Sequence, residues 1–146
     1  MANLSTYSQS GMLNYLIRGN SNNWAKPLNV CIALCSGVPA ETCNGGNIPE
    51  IPNANGYARV NLGAPSNTYF SDWSLVSISG DINNLNTIAF PQATQNWGYV
   101  SGVAIMDSGV YGSGNMLMWG ALIVPRVVLA GDTFQFNAVN LNIYLG

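Results

Sequence analysis

Thr87–Tyr144, TIAFPQATQNWGYVSGVAIMDSGVYGSGNMLMWGALIVPRVVLAGDTFQFNAVNLNIY, is the stretch that decides the fold. Short apolar runs alternate in it with Gly, Pro, Asn and Asp. Val100–Met106, Met116–Leu122, Val127–Leu129, Thr133–Phe136 and Leu141–Leu145 are each too short for an ordinary helix, rich in β-branched or aromatic residues, and bounded by turn formers. They read as half-buried strands. Leu129-Ala130-Gly131-Asp132-Thr133 is the clearest turn, because Gly supplies a positive φ and Asp bonds back to the chain. Val127–Leu129 and Thr133–Phe136 are therefore expected to form a hairpin.

Upstream, Leu28, Val30, Ile32 and Leu34 alternate with Asn29, Cys31, Ala33 and Cys35, the period of two of another strand. Tyr57–Leu62, Trp73–Ile78 and Thr87–Phe90 add three more. About nine strands with turn signals every 8 to 12 residues predict an all-β, antiparallel two-sheet β-sandwich, of jelly-roll type. Trp73, Trp97 and Trp119 stand at strand positions and are the expected core anchors. Trp24 lies on a polar connector and is free for a contact.

Asn3–Gly19 is the one helical segment: Asn3 or Ser5 caps its start, Leu13, Leu16 and Ile17 recur at helical spacing, and Gly19 ends it. A helix of this length needs docking to persist. The expected organisation is an N-terminal helical arm over 1–24 and a sandwich domain over 25–146. Two irregular stretches are candidate contact surfaces. One is the long Pro- and Gly-punctuated loop Ser36–Asn55, and the other is the flexible, Gly-rich loop Ser108–Asn115, which carries Tyr111.

Composition excludes several functions. Only 7% of the 146 residues are charged, against a usual value of about 25%. The net charge is −2 and the basic residues are Arg18, Lys26, Arg59 and Arg126, so there is no footprint for nucleic acid or for a membrane surface. At 48% apolar residues the chain has a core to bury and does not read as disordered. A surface this poor in charge is covered by neutral polar groups or hidden against other subunits. No apolar run approaches the ~18 residues of a membrane span, and Met1–Ser10 lacks the form of a signal peptide.

Chemistry is scarce as well. The chain has no His, so Ser-His-Asp and Cys-His catalytic units and His metal sites are ruled out. Cys31, Cys35 and Cys43 are an odd set, and Cys31 and Cys35, four residues apart on a strand, are too far apart for a disulfide. They read as small buried thiols, with Cys43 the more exposed. Glu41 and Glu50 share the long loop without flanking acid/base architecture. Asp72, Asp81, Asp107 and Asp132 sit at turns. The Gly-rich loop is followed by a strand, with no Lys and no helix, and is not a phosphate loop. No enzyme activity, metal or cofactor is expected.

Met1-Ala2-Asn3-Leu4-Ser5 before a short helix, the Ser36-Gly37-Val38-Pro39 turn, and Gly56-Tyr57-Ala58-Arg59 resemble small virion proteins of tailed bacteriophages. Phe90-Pro91-Gln92-Ala93-Thr94 with Trp97-Gly98, Gly102–Asp107, Leu117–Leu122 and Ala130–Phe134 continue the resemblance in the same order over nearly the whole chain. Members of that family are often labelled tail-fibre proteins, and similar β-sandwiches serve as capsid cement. The resemblance implies a virion protein with no enzymatic role. The expected function is capsid cement, or decoration, binding the major capsid protein on the outside of the shell as a homo-oligomer. The alternatives are a tail-fibre or baseplate subunit, and a carbohydrate-binding module. Leu4, Tyr7, Leu13, Trp24, Tyr69 and Tyr111 are the candidate interface residues, with Trp24, Tyr69 and Tyr111 the stacking platform if the ligand is a sugar.

Overall fold

The computed structural model describes residues 3–20, 24–66, 72–74, 76 and 79–145. Among them are nine strands and one helix. The main sheet contains β1 (Asn3–Leu4), β2 (Cys31–Cys35), β3 (Val60–Asn61), β6 (Gly98–Met106) and β7 (Met116–Val128), in the order β1-β7-β6-β2-β3. Two small ladders form the facing layer: β4 (Asp81–Asn83) with β9 (Asn142–Tyr144), and β5 (Ile88–Ala89) with β8 (Gln135–Phe136). Every pairing is antiparallel. The fold is an all-β sandwich with a short N-terminal helix.

Alternation along β2 explains why the sheet is covered on both faces. Ile32 and Leu34 point into the larger core with Ile88, Phe90, Trp97, Val100, Phe134 and Phe136. Cys31, Ala33 and Cys35 point the other way, into a smaller core with Ile48, Ala104, Met106 and Met116. Cys31 and Cys35 are thus core residues of the second face, Cys43 packs half-buried against it, and all three are free thiols. Aromatic rings fill the larger core edge to face: Tyr57 and Trp97 centroids are 5.4 Å apart, Phe90 and Phe134 5.9 Å, and Phe134 and Phe136 5.3 Å. Trp97 also donates its indole N–H to the Asn55 carbonyl at 2.8 Å. Trp97 is a buried anchor, whereas Trp73 and Trp119 are half-buried at the margins of the two cores.

The helix α1 (Thr6–Arg18) starts where the caps predict. The Ser5 hydroxyl accepts from Ser8 N–H at 3.2 Å and itself donates to the Met116 carbonyl, which ties the helix start to β7. Gly19 ends it in the left-handed conformation, φ 62°, with the Asn20 N–H returning to the Asn14 carbonyl at 3.0 Å.

Some strand expectations need correction. The reversal at Gly131 is present, with φ 87° and Asp132 Oδ2 accepting from Leu129 N–H at 2.9 Å. The flanking residues do not form a hairpin. β7 runs on to Val128 against β6, and β8 crosses to pair with β5, Phe136 opposite Ile88. Phe134 and Phe136 reach the core only from that facing layer. The strand expected from Leu28 begins at Cys31, and Leu28 is 84% exposed. Of Trp73–Ile78, Trp73 forms an isolated bridge with Asn84, while 75, 77 and 78 lie outside the described residues.

The long loop Ser36–Asn55, a candidate contact surface by sequence, is folded against the sheet. Ser36 N–H bonds to the Pro49 carbonyl at 2.8 Å and Ile51 N–H to the Leu34 carbonyl at 3.0 Å, folding the loop back along β2. Its own Pro39, Ile48 and Ile51 are buried. It crosses β6 so closely that a Cβ on Gly102 would lie 2.4 Å from the Gly37 carbonyl oxygen.

Candidate interaction surfaces

Ionisable groups inside the molecule are committed to structure. Arg59 and Glu50 form a bidentate pair, Nε to Oε1 at 2.8 Å and Nη2 to Oε2 at 2.7 Å, with both side chains almost wholly buried. Tyr57 donates its hydroxyl to Glu50 Oε1 at 2.8 Å and accepts from Leu34 N–H at 3.0 Å. Arg59 Nη1 donates to the Ser108 and Ser113 carbonyls at 2.8 and 2.9 Å. Burial opposes the charge on Arg59, but hydrogen bonding and attraction to Glu50 outweigh it and hold its pKa above the ordinary value. Burial, reinforced by the Glu50 carboxylate, pushes the Tyr57 phenol upward and the Cys35 thiol up to about 12. The Glu50–Arg59 pair thus ties the long loop, the Gly56–Arg59 segment and, through the guanidinium, the Gly-rich loop together, while Glu41 stays exposed. No group of three or more Cys, Asp or Glu side chains able to hold a metal occurs among the described residues.

The Gly-rich loop, expected to be flexible, is held from both sides. Asp107 Oδ1 accepts from Asn115 N–H at 2.7 Å and Oδ2 from the Asn115 amide at 2.8 Å. Gly45 N–H donates to the Gly114 carbonyl at 2.8 Å. On this pinned loop Tyr111 is 40% and Val110 66% exposed.

Helix α1 docks through its small residues. Ser8 and Gly11 are buried, and the Trp24 ring lies against Gly11. Leu13, Leu16 and Ile17 consequently face outward at 62%, 65% and 78% exposure, a stripe at i, i+3, i+4 spacing with no charge in it. A cleft of about 650 Å³ separates the helix from the connector 25–28.

A second apolar surface follows β7. Ile123 and Val124 stand 95% and 76% exposed, beside a groove of about 590 Å³ that reaches the core residues Val103, Ile105, Phe134 and Phe136. The sequence reading missed it, since it ended the strand at Leu122. The signal available was Ile123-Val124-Pro125, an apolar run prolonging a strand already long enough to cross the sheet.

The five candidate residues among those described do not share one surface. Leu4 is half-buried and paired with Met118 on β1, so it serves the sheet. Tyr7 is 38% exposed, its ring centroid 6.3 Å from that of Trp24. Leu13 lies on the helical stripe. Trp24 is half-buried with its ring taken up by Gly11, Tyr111 stands on the pinned loop, and Tyr69 lies outside the described residues.

The chain is thus a charge-poor antiparallel sandwich whose buried Glu50–Arg59 pair braces its loops and whose exposed helix stripe and β7 edge are apolar. Residues 3–144 match the family described as Podophage GP4 fiber I protein gp80, and the chain belongs to that family of phage virion structural proteins. No curated protein matches the chain. The family description favours the fibre alternative over capsid cement.

Proposed function

We propose that this protein is a non-catalytic structural subunit of a phage fibre, joined to its neighbours in the virion by apolar, charge-free contacts. The family match over residues 3–144 carries the reading. The stripe Leu13, Leu16 and Ile17 supports it, because leucines directed at water on a docked helix cost solubility unless a neighbour covers them. Repetition of weak contacts along a fibre then supplies avidity. The stripe is assigned to attachment within the fibre.

Fractionation of purified virions tests the assignment. The protein should travel with the detached fibre and tail fraction and be absent from tailless shells. High-copy retention on tailless shells would instead establish the cement role, with the major capsid protein as its partner. Leu16→Asp should abolish incorporation without unfolding the sandwich.

A further inference from the structure

We propose that the bowl between the segment 27–29, β3 and the Gly-rich loop is a binding site for a neutral sugar, one hexose unit of a glycan. The bowl has a volume of about 610 Å³, within the range of small-molecule sites. Backbone pairing builds it. Val30 N–H bonds to the Gly63 carbonyl at 2.8 Å and Leu62 N–H to the Val30 carbonyl at 2.9 Å, which lays Asn29 beside Asn61. The Asn61 amide donates to Asn29 Oδ1 at 3.3 Å. Asp107 and Asn115 add the wall from the Gly-rich loop, and Arg59 lines the bowl with them.

Hydrogen-bonding capacity left over on these walls points to a ligand. Arg59 has five N–H groups and makes four hydrogen bonds, two to Glu50 and one each to the Ser108 and Ser113 carbonyls. One Nη2 N–H of a side chain that is 0% exposed therefore lacks an acceptor among the described residues. Buried donors are costly to leave so, and an oxygen brought in by a ligand satisfies this one. The Asn29 amide nitrogen and Asn115 Oδ1, on half-buried residues, bond to no described residue either. Ser108 Oγ accepts from Val110 N–H at 3.2 Å and keeps its own proton to donate.

Donors from Arg59, Asn29 and Ser108 thus lie among acceptors from Asn115 and Asp107, which suits a set of hydroxyls, each able to give and to take a bond. Charge selects against anions. The Arg59 cation is neutralised by Glu50 at 2.7 Å, and Asp107 is the remaining charge on the wall, so a phosphate or an acidic sugar meets a carboxylate. Leu28 and Val110, 84% and 66% exposed at the rim, offer an apolar rest for the C–H face of a sugar ring. The walls are set before a ligand arrives: Asn115 bonds twice to Asp107, and Arg59 holds the loop at Ser108 and Ser113, so little order remains to be imposed on binding. Trp24 and Tyr111, expected from the sequence to stack on a sugar, do not line the bowl.

The isolated full chain tests this, independently of where the protein sits in the virion. An array of neutral and acidic glycans should retain the protein on neutral ones. Titrating a retained glycan into ¹⁵N-labelled protein should shift the side-chain amide signals of Asn29, Asn61 and Asn115, while that of Asn84, fully buried in the facing layer, stays in place. Gly109→Leu should abolish binding, because a Cβ there meets Cys31 Sγ at an ordinary 3.6 Å and the rest of the side chain fills the bowl. Asn29→Ala should weaken binding about tenfold, and Leu16→Asp should leave it unchanged. The amide shifts of the unaltered protein decide the matter should a variant fail to fold. Retention on no neutral glycan, a preference for acidic ones, shifts confined to other residues, or binding that survives Gly109→Leu would overturn the proposal.

Discussion

Arg59 and Glu50, nine positions apart on either side of the Asn55-Gly56 turn, meet as a bidentate ion pair whose side chains are 0% and 3% exposed. Burying two charges is costly, and removing one leaves the other unpaired in the interior. Arg59→Met should therefore cost about 3–5 kcal/mol in urea denaturation. Glu50→Leu/Arg59→Met should cost less than Arg59→Met alone, because no charge is stranded. A double variant as unstable as the single would show that the bonds from Arg59 to Ser108 and Ser113 dominate.

This pair also marks what the sequence made legible. Strands at Val100–Met106 and Met116–Leu122, the helix caps at Ser5 and Gly19, and the sandwich class were readable, since each rests on local periodicity or turn chemistry. The role of Glu50 was not, because pairing between two loop residues follows no period. The hairpin at Gly131 was misassigned for a related reason: a tight turn specifies a reversal but not the strand that receives the returning chain. Residues 122–125 leave the β6 ladder between the Gly102–Ala121 and Val100–Arg126 pairs, a register slip that appears only once both strands are placed.

Alkaline pH should unfold the protein through its buried thiols and phenol. Burial raises Cys35 from 9.0 to about 12, and Cys31 and Tyr57 move the same way. The folded chain keeps the Cys35 proton that the unfolded chain releases above 9.0, so this stability is complete below pH 9.0 and is lost as pH rises toward about 12. Thermal melts under reducing conditions should show a falling Tm across that window. Cys35→Ala should flatten the slope, and an unchanged slope would remove Cys35 as a contributor.

Thiol accessibility gives a second, simpler outcome. Cys31 and Cys35 are fully buried, whereas Cys43 is half-buried on the loop with its Sγ 3.8 Å from the Asn47 carbonyl oxygen. A thiol reagent should label Cys43 in the native protein and all three cysteines after unfolding. Fast native labelling at Cys31 would show that the loop 36–50 opens away from the second core.

Asn84 is the polar rivet of the facing layer. Its amide donates to the Asn86 and Asn137 carbonyls at 2.7 and 2.9 Å, and its Oδ1 accepts from Leu141 N–H at 2.8 Å, with the side chain fully buried. Asn84→Ala strands those groups and should cost roughly 2–4 kcal/mol. Asn84 also accepts from Val139 N–H, and Val139 adopts φ 68°, which a β-branched residue rarely tolerates. Val139→Asn should gain about 1 kcal/mol by relieving that conformation. Chemical denaturation of both variants reads the two signs.

Gly11 and Trp24 provide a sign reversal that separates helix propensity from packing. In an ordinary helix interior, Gly→Ala stabilises by roughly 1 kcal/mol because the unfolded glycine is freer. At Gly11 the added Cβ would lie 1.8 Å from Trp24 Cε3, an overlap that the ring can escape only by leaving the helix. Gly11→Ala should therefore destabilise the protein by roughly 1–3 kcal/mol and shift the Trp24 emission to the red, read as the difference from a Trp24→Phe reference. In a Trp24→Ala background the same substitution should become stabilising, since only the backbone effect is left. A coupling energy near zero in that double-mutant cycle would mean that the ring does not rest on Gly11, and that some other contact holds the helix against the connector.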